Sequence, residues 1–417
     1  MNWQRKKIGE ICEIIAGQAP PSMFYNEEGD GVPFLIVNSF GDVYPKVERW
    51  TTKSLRESKE GDVLFSVAGS LGLVNLGINA CITRSIFALR PYKDLILQKF
   101  LFYTLKKYGS QIALMGSGTA QKVITINQIS KFEIPVPPIH IQQKIVKILD
   151  TIKSAVEVQE KIIEKTKELK KALMNLLFHY GLAGLRIKEL AGLRVDELTS
   201  SEIKKFGLKL KKTEIGEIPE HWEVAKIKNI GEVITGTTPS TSVKEFWEGE
   251  IPFITPSDFE DDQIYVYQTE RNVTKAGAKK GRIIPKDTIL VVCIGSTLGK
   301  IALSYKECIT NQQINAIICD NSRVNPFFVY YFLLRNQSLL KSYAGTTTKP
   351  IVKKSLFENF KIPLPPLSEQ KEIAEILQTI DQKIEIEKKK KELYYELFKT
   401  LLNKIMNQEI EVERIEI

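Results

Sequence analysis

Histidine is scarce. Three residues (His140, His179 and His221) lie far apart in 417, too few and too scattered for a His-rich metal site. Cysteine is scarce as well: five residues with no C-x-x-C pair exclude a disulfide scaffold and a zinc ribbon. No apolar run approaches the roughly 18–20 residues that span a bilayer. The N-terminus, MNWQRKKIGEICEII, is basic but has neither the apolar centre nor the small-residue cleavage site of a secretory signal. Twenty-five Gly and 18 Pro are ordinary, and no tract is collagenous or disordered in composition. What remains is the profile of a soluble, cytoplasmic protein. At 43% hydrophobic and 26% charged it holds enough apolar residues for substantial cores. At roughly 100–200 residues per domain, two to four domains are expected. Fifty-nine Lys+Arg against 50 Asp+Glu leave a net charge of +9, a balance that favours an acidic partner such as nucleic acid.

The most informative feature is an internal duplication. Trp3, Ile8, Ile11, Glu13, Ile15, Gly17 and Pro20 recur 219 residues later as Trp222, Ile227, Ile230, Glu232, Ile234, Gly236 and Pro239. Pro33-Phe34, Phe40 and Asp42 keep that offset in Pro252-Phe253, Phe259 and Asp261. Beyond a stretch of unequal length, DVLFSVAGSLG matches DTILVVCIGSTLG, Cys81-Ile82-Thr83 matches Cys308-Ile309-Thr310, GTAQKVI matches GTTTKPI, and FEIPVPP matches FKIPLPP. The period far exceeds that of a solenoid, so each copy is a whole domain. Within a copy, β-rich runs such as DVLFSV and DTILVVCI read as buried strands, while residues 97–115 and 325–343 read as helices. Each copy is therefore an α+β or α/β globule.

After each Pro-Pro the pattern becomes helical. Ile145, Ile148, Ile152, Ala155, Gln159, Ile162, Thr166, Leu169, Leu173 and Leu176 alternate at spacings of three and four, a sustained heptad. The second copy repeats it with Ile373, Ile376, Ile380, Tyr394, Leu397 and Leu401. Between these, Lys383, Glu387 and Lys390 break the stripe, and Ile384 and Leu393 sit one place off it; a register shift and a solvated gap both fit. Residues 141–178 make a helix about 57 Å long at about 1.5 Å per residue. An antiparallel pair brings the end of the first helix beside the start of the second, which keeps the connector short. The expected architecture is two related globules separated by two long antiparallel coiled-coil helices, with pseudo-two-fold symmetry. In residues, this is a first globule over 1–135, a spacer helix over 136–180, a connector over 181–218, a second globule over 219–363 and a second helix over 364–417.

Three segments carry a family resemblance: IPLPPLSEQKEIAEILQTIDQKIE (362–385), its copy IPVPPIHIQQKIVKILDTIKSAVE (134–157), and KKTEIGEIPEHWEV (211–224). They resemble the hallmark segments of the specificity subunits of type I restriction–modification enzymes, and the resemblance extends over the duplication. The first copy has Ile141 where the second has Glu369, while Gln142 keeps the position of Gln370. The resemblance implies two target-recognition domains, each reading half of a bipartite duplex DNA site. It also implies two modification (methyltransferase) subunits using S-adenosylmethionine, and restriction subunits using ATP and magnesium. No cofactor or metal is then expected in this chain. The competing readings are a self-contained methyltransferase or nuclease, and a coiled-coil scaffold that binds proteins alone.

Catalytic motifs speak against the enzyme reading. An adenine methyltransferase carries an Asn/Asp-Pro-Pro-aromatic loop for the flipped base; Val136-Pro137-Pro138-Ile139 and Leu364-Pro365-Pro366-Leu367 lack both its ends, and Asn325-Pro326-Phe327-Phe328 reads as a helix cap. No Pro-Asp dipeptide is present for a nuclease metal site. The Gly295–Lys300 stretch lacks the first Gly and the Ser/Thr of a P-loop, and reads as a strand-ending turn. Cys81 and Cys308, equivalent and in apolar settings, read as core.

Base readout needs Arg, Lys, Asn, Gln, Ser or Thr on loops. The Gly-Thr loops supply them as Ser117, Thr119, Gln121 and Lys122 in the first copy and Thr346, Thr347, Thr348 and Lys349 in the second. The turns after the Cys-Ile-Thr strand supply Arg84 and Ser85 against Asn311, Gln312 and Gln313. Equal position with unequal chemistry is what two domains reading different half-sites need. The stretches 43–61 and 262–286 differ in length and carry Lys46, Arg49, Lys53 and Arg56, and Arg271, Lys275, Lys279, Lys280 and Arg282.

Overall fold

The computed structural model describes residues 3–117, 122–191, 206–345 and 350–415. The chain divides into two units, residues 1–161 with 388–417, and residues 162–387. Each unit therefore holds one repeat domain, the N-terminal part of that repeat's long helix, and the C-terminal part of the other's.

In the first unit the central sheet runs Cys12–Ala16, Ile86–Pro91, Val63–Ser66, Val74–Leu76, with every neighbour antiparallel. The run Val63–Ser66 shows no polar alternation because both its faces are covered. Val63 and Phe65 pack with Phe100, Leu101, Leu105 and Ile112, which lie on or around the helix Gln98–Ala113. Leu64 packs instead with Ile86, Ala88, Leu35 and Ile82. The last two belong to a small sheet in which Val32–Leu35 and Ala80–Ile82 pair in parallel.

The second unit repeats this plan. Its sheet runs Gly231–Thr235, Ile314–Cys319, Ile289–Val292, Ile301–Ser304, then a parallel edge, Tyr265–Val266. Trp247–Ile254 pairs in parallel with Ile309–Thr310, as its counterpart does. The helix expected over 325–343 is two: Pro326–Arg335 and Gln337–Ser342, separated at Asn336, whose φ of −102° and ψ of 21° are not helical. Each domain is closed by a strand pair that joins its entry to its exit. Gln4–Lys7 lies antiparallel to Glu133–Val136, and Glu223–Lys226 to Lys361–Leu364.

The long helices span Ile139–Ala191 and Leu367–Met406. The first is interrupted at Gly181 (φ 64°, ψ −161°), so the segment beyond, expected in the connector, is helical. The left-handed φ favours glycine, and the space does too. A Cβ there falls 2.5 Å from Glu369 Oε1, which accepts from Leu182 N at 3.3 Å. Leu210–Thr213 and Gly216–Pro219, which fall in the assigned connector except for Pro219, form an antiparallel hairpin.

Helix and domain are locked by one buried glutamine per repeat. Gln142 Oε1 accepts from Leu97 N (2.8 Å) while Nε2 donates to Leu95 O (3.0 Å) and Pro137 O (2.8 Å). Gln370 does the same with Asn325 N (2.9 Å), Arg323 O (3.1 Å) and Pro365 O (2.8 Å). Both are fully buried, and each amide fixes the start of the domain's helix against the Pro-Pro turn.

Within each unit the two helix segments run antiparallel. In the first, Lys144 meets Glu413 and Ile415 while Glu160 meets Lys391; in the second, Lys170 meets Asp381 and Leu182 meets Glu369. The heptad assignment needs correction at several places. Ile145, Leu173, Leu176 and Ile373 are buried, and Ile148, Ile152, Ile162, Ile376, Ile380, Tyr394 and Leu401 are half-buried. Leu169 and Leu397, equivalent positions, are 42% and 43% exposed and lie outside the core. The buried seam of the second helix falls one residue later than assigned, on Ala374, Leu377, Asp381 and Ile384, and Leu149 likewise replaces Ile148 in the first. Next to its own domain a helix is enclosed on two sides, so the buried face is wider than a two-stranded seam and centred elsewhere. Ile384, off the assigned stripe, thus lies on this seam, which continues in heptad spacing to Leu402 and Ile405 with no register shift in between, while Leu393, the other off-stripe residue, is 69% exposed.

Candidate nucleic-acid interface

The turns singled out from sequence converge in each unit on the residue that follows the central strand. In the first, Val67 N donates to Ser85 O (2.8 Å) and Val67 O accepts from Ile124 N (2.9 Å). Ala68 bridges Val123, which exchanges two backbone hydrogen bonds with Ser117. Arg84, Ser85, Ser117 and Lys122 thereby gather at one edge, with Arg84, Ser117 and Lys122 exposed and Ser85 half-buried. In the second, Cys293 N donates to Gln313 O (2.8 Å), Cys293 O accepts from Val352 N (2.8 Å), and Gly295 N donates to Pro350 O (3.1 Å). The same rail holds both turns. Thr119, Gln121, Thr346, Thr347, Thr348 and Lys349 lie outside the described residues.

The side chains differ where the rails agree. Gln312 is exposed and its Oε1 accepts from Thr238 Oγ1 at 2.8 Å. Asn311 and Gln313 are committed to the turn itself. Asn311 Nδ2 donates to Gln313 Oε1 (2.9 Å), Asn311 Oδ1 accepts from Gln313 N (3.0 Å), and Gln313 Nε2 donates to Ile294 O (3.3 Å). These two amides shape the loop more than they face outward.

A third segment joins each cluster and was missed from sequence. Gly17 N donates to Ile86 O (3.1 Å) and Gly236 N to Ile314 O (3.1 Å). A Cβ on Gly17 falls 2.2 Å from Thr83 O, and one on Gly236 falls 2.2 Å from Asn311 O. Only glycine allows this approach, and it delivers the exposed Gln18 in one copy and Thr237 with Thr238 in the other. The recurrence of Gly17 as Gly236 was the signal available.

The look-alike motifs resolve into structure. Asn325 Oδ1 caps Pro326–Arg335 by accepting from Phe327 N (2.9 Å) and Phe328 N (3.1 Å). In the Gly-rich turn at 295–300, Lys300 donates to Phe259 O (2.9 Å) and pairs with Asp261 (3.1 Å). Cys81 and Cys308 are fully buried, and burial pushes the Cys308 thiol up to about 12, which keeps it protonated and unreactive. Among the described residues no group of three or more His, Cys, Asp or Glu could hold a metal ion, and no helix is long and apolar enough to cross a membrane.

Comparison with known proteins agrees with this layout. The MjaIX specificity subunit of Methanocaldococcus jannaschii is 41% identical over 45% of this chain and 45% of its own. The MjaVIII specificity subunit of the same organism is 27% identical over 99% of this chain and 94% of its own. Among solved structures, the type I specificity subunit of M. genitalium superposes with a TM-score of 0.57 at 20% identity, covering 97% of this chain and 96% of that one. A structure from a study of type I complex assembly gives 0.58 at 16% identity, covering 97% of each. The model of the type I restriction modification DNA specificity domain matches residues 1–168 and again 219–393, one match for each copy, and the chain belongs to that family.

Proposed function

We propose that this chain is the DNA-specificity subunit of a type I restriction–modification complex, with each repeat domain reading one half of a bipartite, asymmetric duplex site. One observation carries the reading. Two domains present the same loop rail, built by equivalent backbone hydrogen bonds around Val67 and Cys293, with different side chains mounted on it: Arg84 in one turn against Asn311 and Gln312, and Gln18 against Thr237. A shared frame fixes where base edges are met, and the mounted residues decide which bases fit.

The long helices set the spacing of the half-sites and dock two methyltransferase subunits. Support for two like partners comes from equivalent positions left open: Val158 and Ile386 are 52% and 53% exposed, and Leu169 and Leu397 are 42% and 43% exposed. Exposed apolar pairs repeated with the duplication suit two copies of one partner. Methyl transfer from S-adenosylmethionine and ATP- and magnesium-dependent cleavage belong to partner subunits, and the complex works in the cytoplasm.

Exchanging residues 1–135 for the same region of a relative, then mapping methylated adenines in host DNA, tests the reading. One half of the recognised sequence changes and the other stays. Both changing together rejects independent reading by each domain. A salt-independent or absent gel shift on duplex DNA favours the protein-scaffold alternative.

A further inference from the structure

We propose that Lys275, Lys279, Lys280 and Arg282 form a phosphate-gripping shelf in the second domain that the first domain lacks, so the two half-sites are held with unequal electrostatic strength. The inference rests on the DNA-reading function above and adds where, and in which domain, the duplex backbone is gripped.

Arg271 pairs in register with Phe253, and Arg49 O accepts from Phe34 N at the equivalent place. From these arginines to the central strand, residues 271–286 carry six cations (Arg271, Lys275, Lys279, Lys280, Arg282, Lys286) and no acid. Residues 49–60 of the first domain are four residues shorter, with four cations (Arg49, Lys53, Arg56, Lys59) and two acids (Glu57, Glu60). The added residues in the second domain accommodate the short helix Lys275–Ala278.

That helix is held firmly. Thr274 Oγ1 accepts from Gly277 N (3.1 Å) and donates to Glu245 O (2.7 Å), while Thr274 N donates to Phe246 O (3.0 Å). Gly277 sits so close to Phe246 that a Cβ falls 2.2 Å from its carbonyl oxygen. Ala278, 1% exposed, packs with Trp247, Phe253, Val273 and Ile309. From this fixed backbone Lys275, Lys279 and Lys280 project exposed, with no ion pair among the described residues. An unpaired cation gives up no partner when it meets a phosphate, and a held backbone reduces the ordering cost.

The shelf adjoins the candidate reading edge. Arg282 Nη1 donates to Thr235 O (2.8 Å), one residue before Gly236, and Gly281 lies against Ile309 and the Thr237 carbonyl. The cations therefore flank the turn that carries Thr238 and Gln312, where the phosphates beside a read base pair pass. Phosphate contacts carry no sequence information, so the shelf governs affinity and salt response and leaves base preference alone.

The test compares the full chain with the triple variant Lys275→Gln, Lys279→Gln, Lys280→Gln, binding a random-sequence duplex across a salt titration. A matched variant in the first domain is Lys53→Gln, Arg56→Gln, Lys59→Gln. The second-domain variant lowers the slope of log affinity against log salt by about two to three, near one per phosphate lost, and the first-domain variant by less. The sequence methylated in cells by the reconstituted complex stays the same. An unchanged slope in a variant with the parent's circular dichroism overturns the inference, as does an equal fall in the first-domain variant or a changed methylated sequence. A parent chain whose duplex binding ignores salt overturns the functional reading beneath it.

Discussion

Asn175 on the first long helix accepts a hydrogen bond from Arg335 of the second domain at 2.9 Å, and 228 residues on, Asn403 of the second long helix accepts one from Lys107 of the first domain. Each repeat domain thus rests on the long helix of the other repeat through equivalent residues. Burial of the Arg335 guanidinium lowers its pKa, yet it stays charged, so the contact at Asn175 is charge-assisted. The same correspondence holds at Tyr331 and Tyr103: Lys170 lies over the first ring (5.2 Å) and Phe398 beside the second (5.8 Å).

The two tyrosines differ in their acid. Tyr331 donates to Asp381 (2.6 Å), which also pairs with Lys170 (2.6 Å), whereas Tyr103 donates to Asp150 (2.6 Å), paired with Lys99. Asp381→Ala leaves Lys170, 16% exposed, without its partner and is expected to cost about 3 kcal/mol. Adding Lys170→Phe, the residue type at the equivalent Phe398, recovers most of that loss. Urea unfolding midpoints of the single and double variants measure both effects; an additive double variant rejects the coupling.

Gln142→Ala and Gln370→Ala each strand a buried backbone N–H and carbonyls at the helix–domain lock. A loss of about 2–3 kcal/mol is expected from each, because the partners lie away from water. Substitution by Glu tests geometry against chemistry: it retains Oε1 as acceptor but removes the Nε2 donor. Thermal unfolding of each variant reads out the difference, with Glu expected to destabilise as well.

Gly236→Ala forces the 236–238 turn away from Asn311. Backbone must move to relieve a 2.2 Å approach, so the Thr238–Gln312 contact is lost while the sheet beneath remains. Site-specific methylation by the reconstituted complex is expected to fall at least about tenfold, equivalent to about 1.4 kcal/mol. Retained circular dichroism separates this from unfolding, and unimpaired methylation removes the turn from the reading edge.

His179 has a lowered pKa, first because burial disfavours its charged form and then because Arg335 lies near, with Glu217 opposing. The unfolded chain therefore binds a proton more readily than the folded one below the ordinary histidine range. Stability is full above about pH 6.5 and falls on acidification. His179→Phe is expected to flatten that fall, seen as a smaller drop in melting temperature between neutral and mildly acidic buffer.

The duplication made much of the architecture legible, since equivalent residues occupy equivalent strands: Val63–Ser66 and Ile289–Val292 at the sheet centre, Gln142 and Gln370 at the locks. The helix seam was misplaced by one residue because Asp381, a charged side chain, occupies a core position with Tyr331 and Lys170, and a hydrophobic pattern cannot register a satisfied carboxylate. Leu169 and Leu397 misled for the opposite reason, being apolar and exposed. At the candidate interface the two turns were visible as repeats with unequal chemistry. The glycine-led third segment was marked only by the recurrence of Gly17 as Gly236, and a recurring glycine does not by itself say which backbone it approaches.

The strand pairs that close each domain have a consequence for how new specificities arise. Gln4 stands opposite Val136, and Glu223 opposite Leu364, so the chain enters and leaves each domain through hydrogen-bonded neighbours. Genetic recombination with one breakpoint in each of these short strands transplants an entire domain as a cassette. The backbone pairing that receives the newcomer is largely indifferent to side-chain identity, which lets such a gene diversify by shuffling without rebuilding its helices.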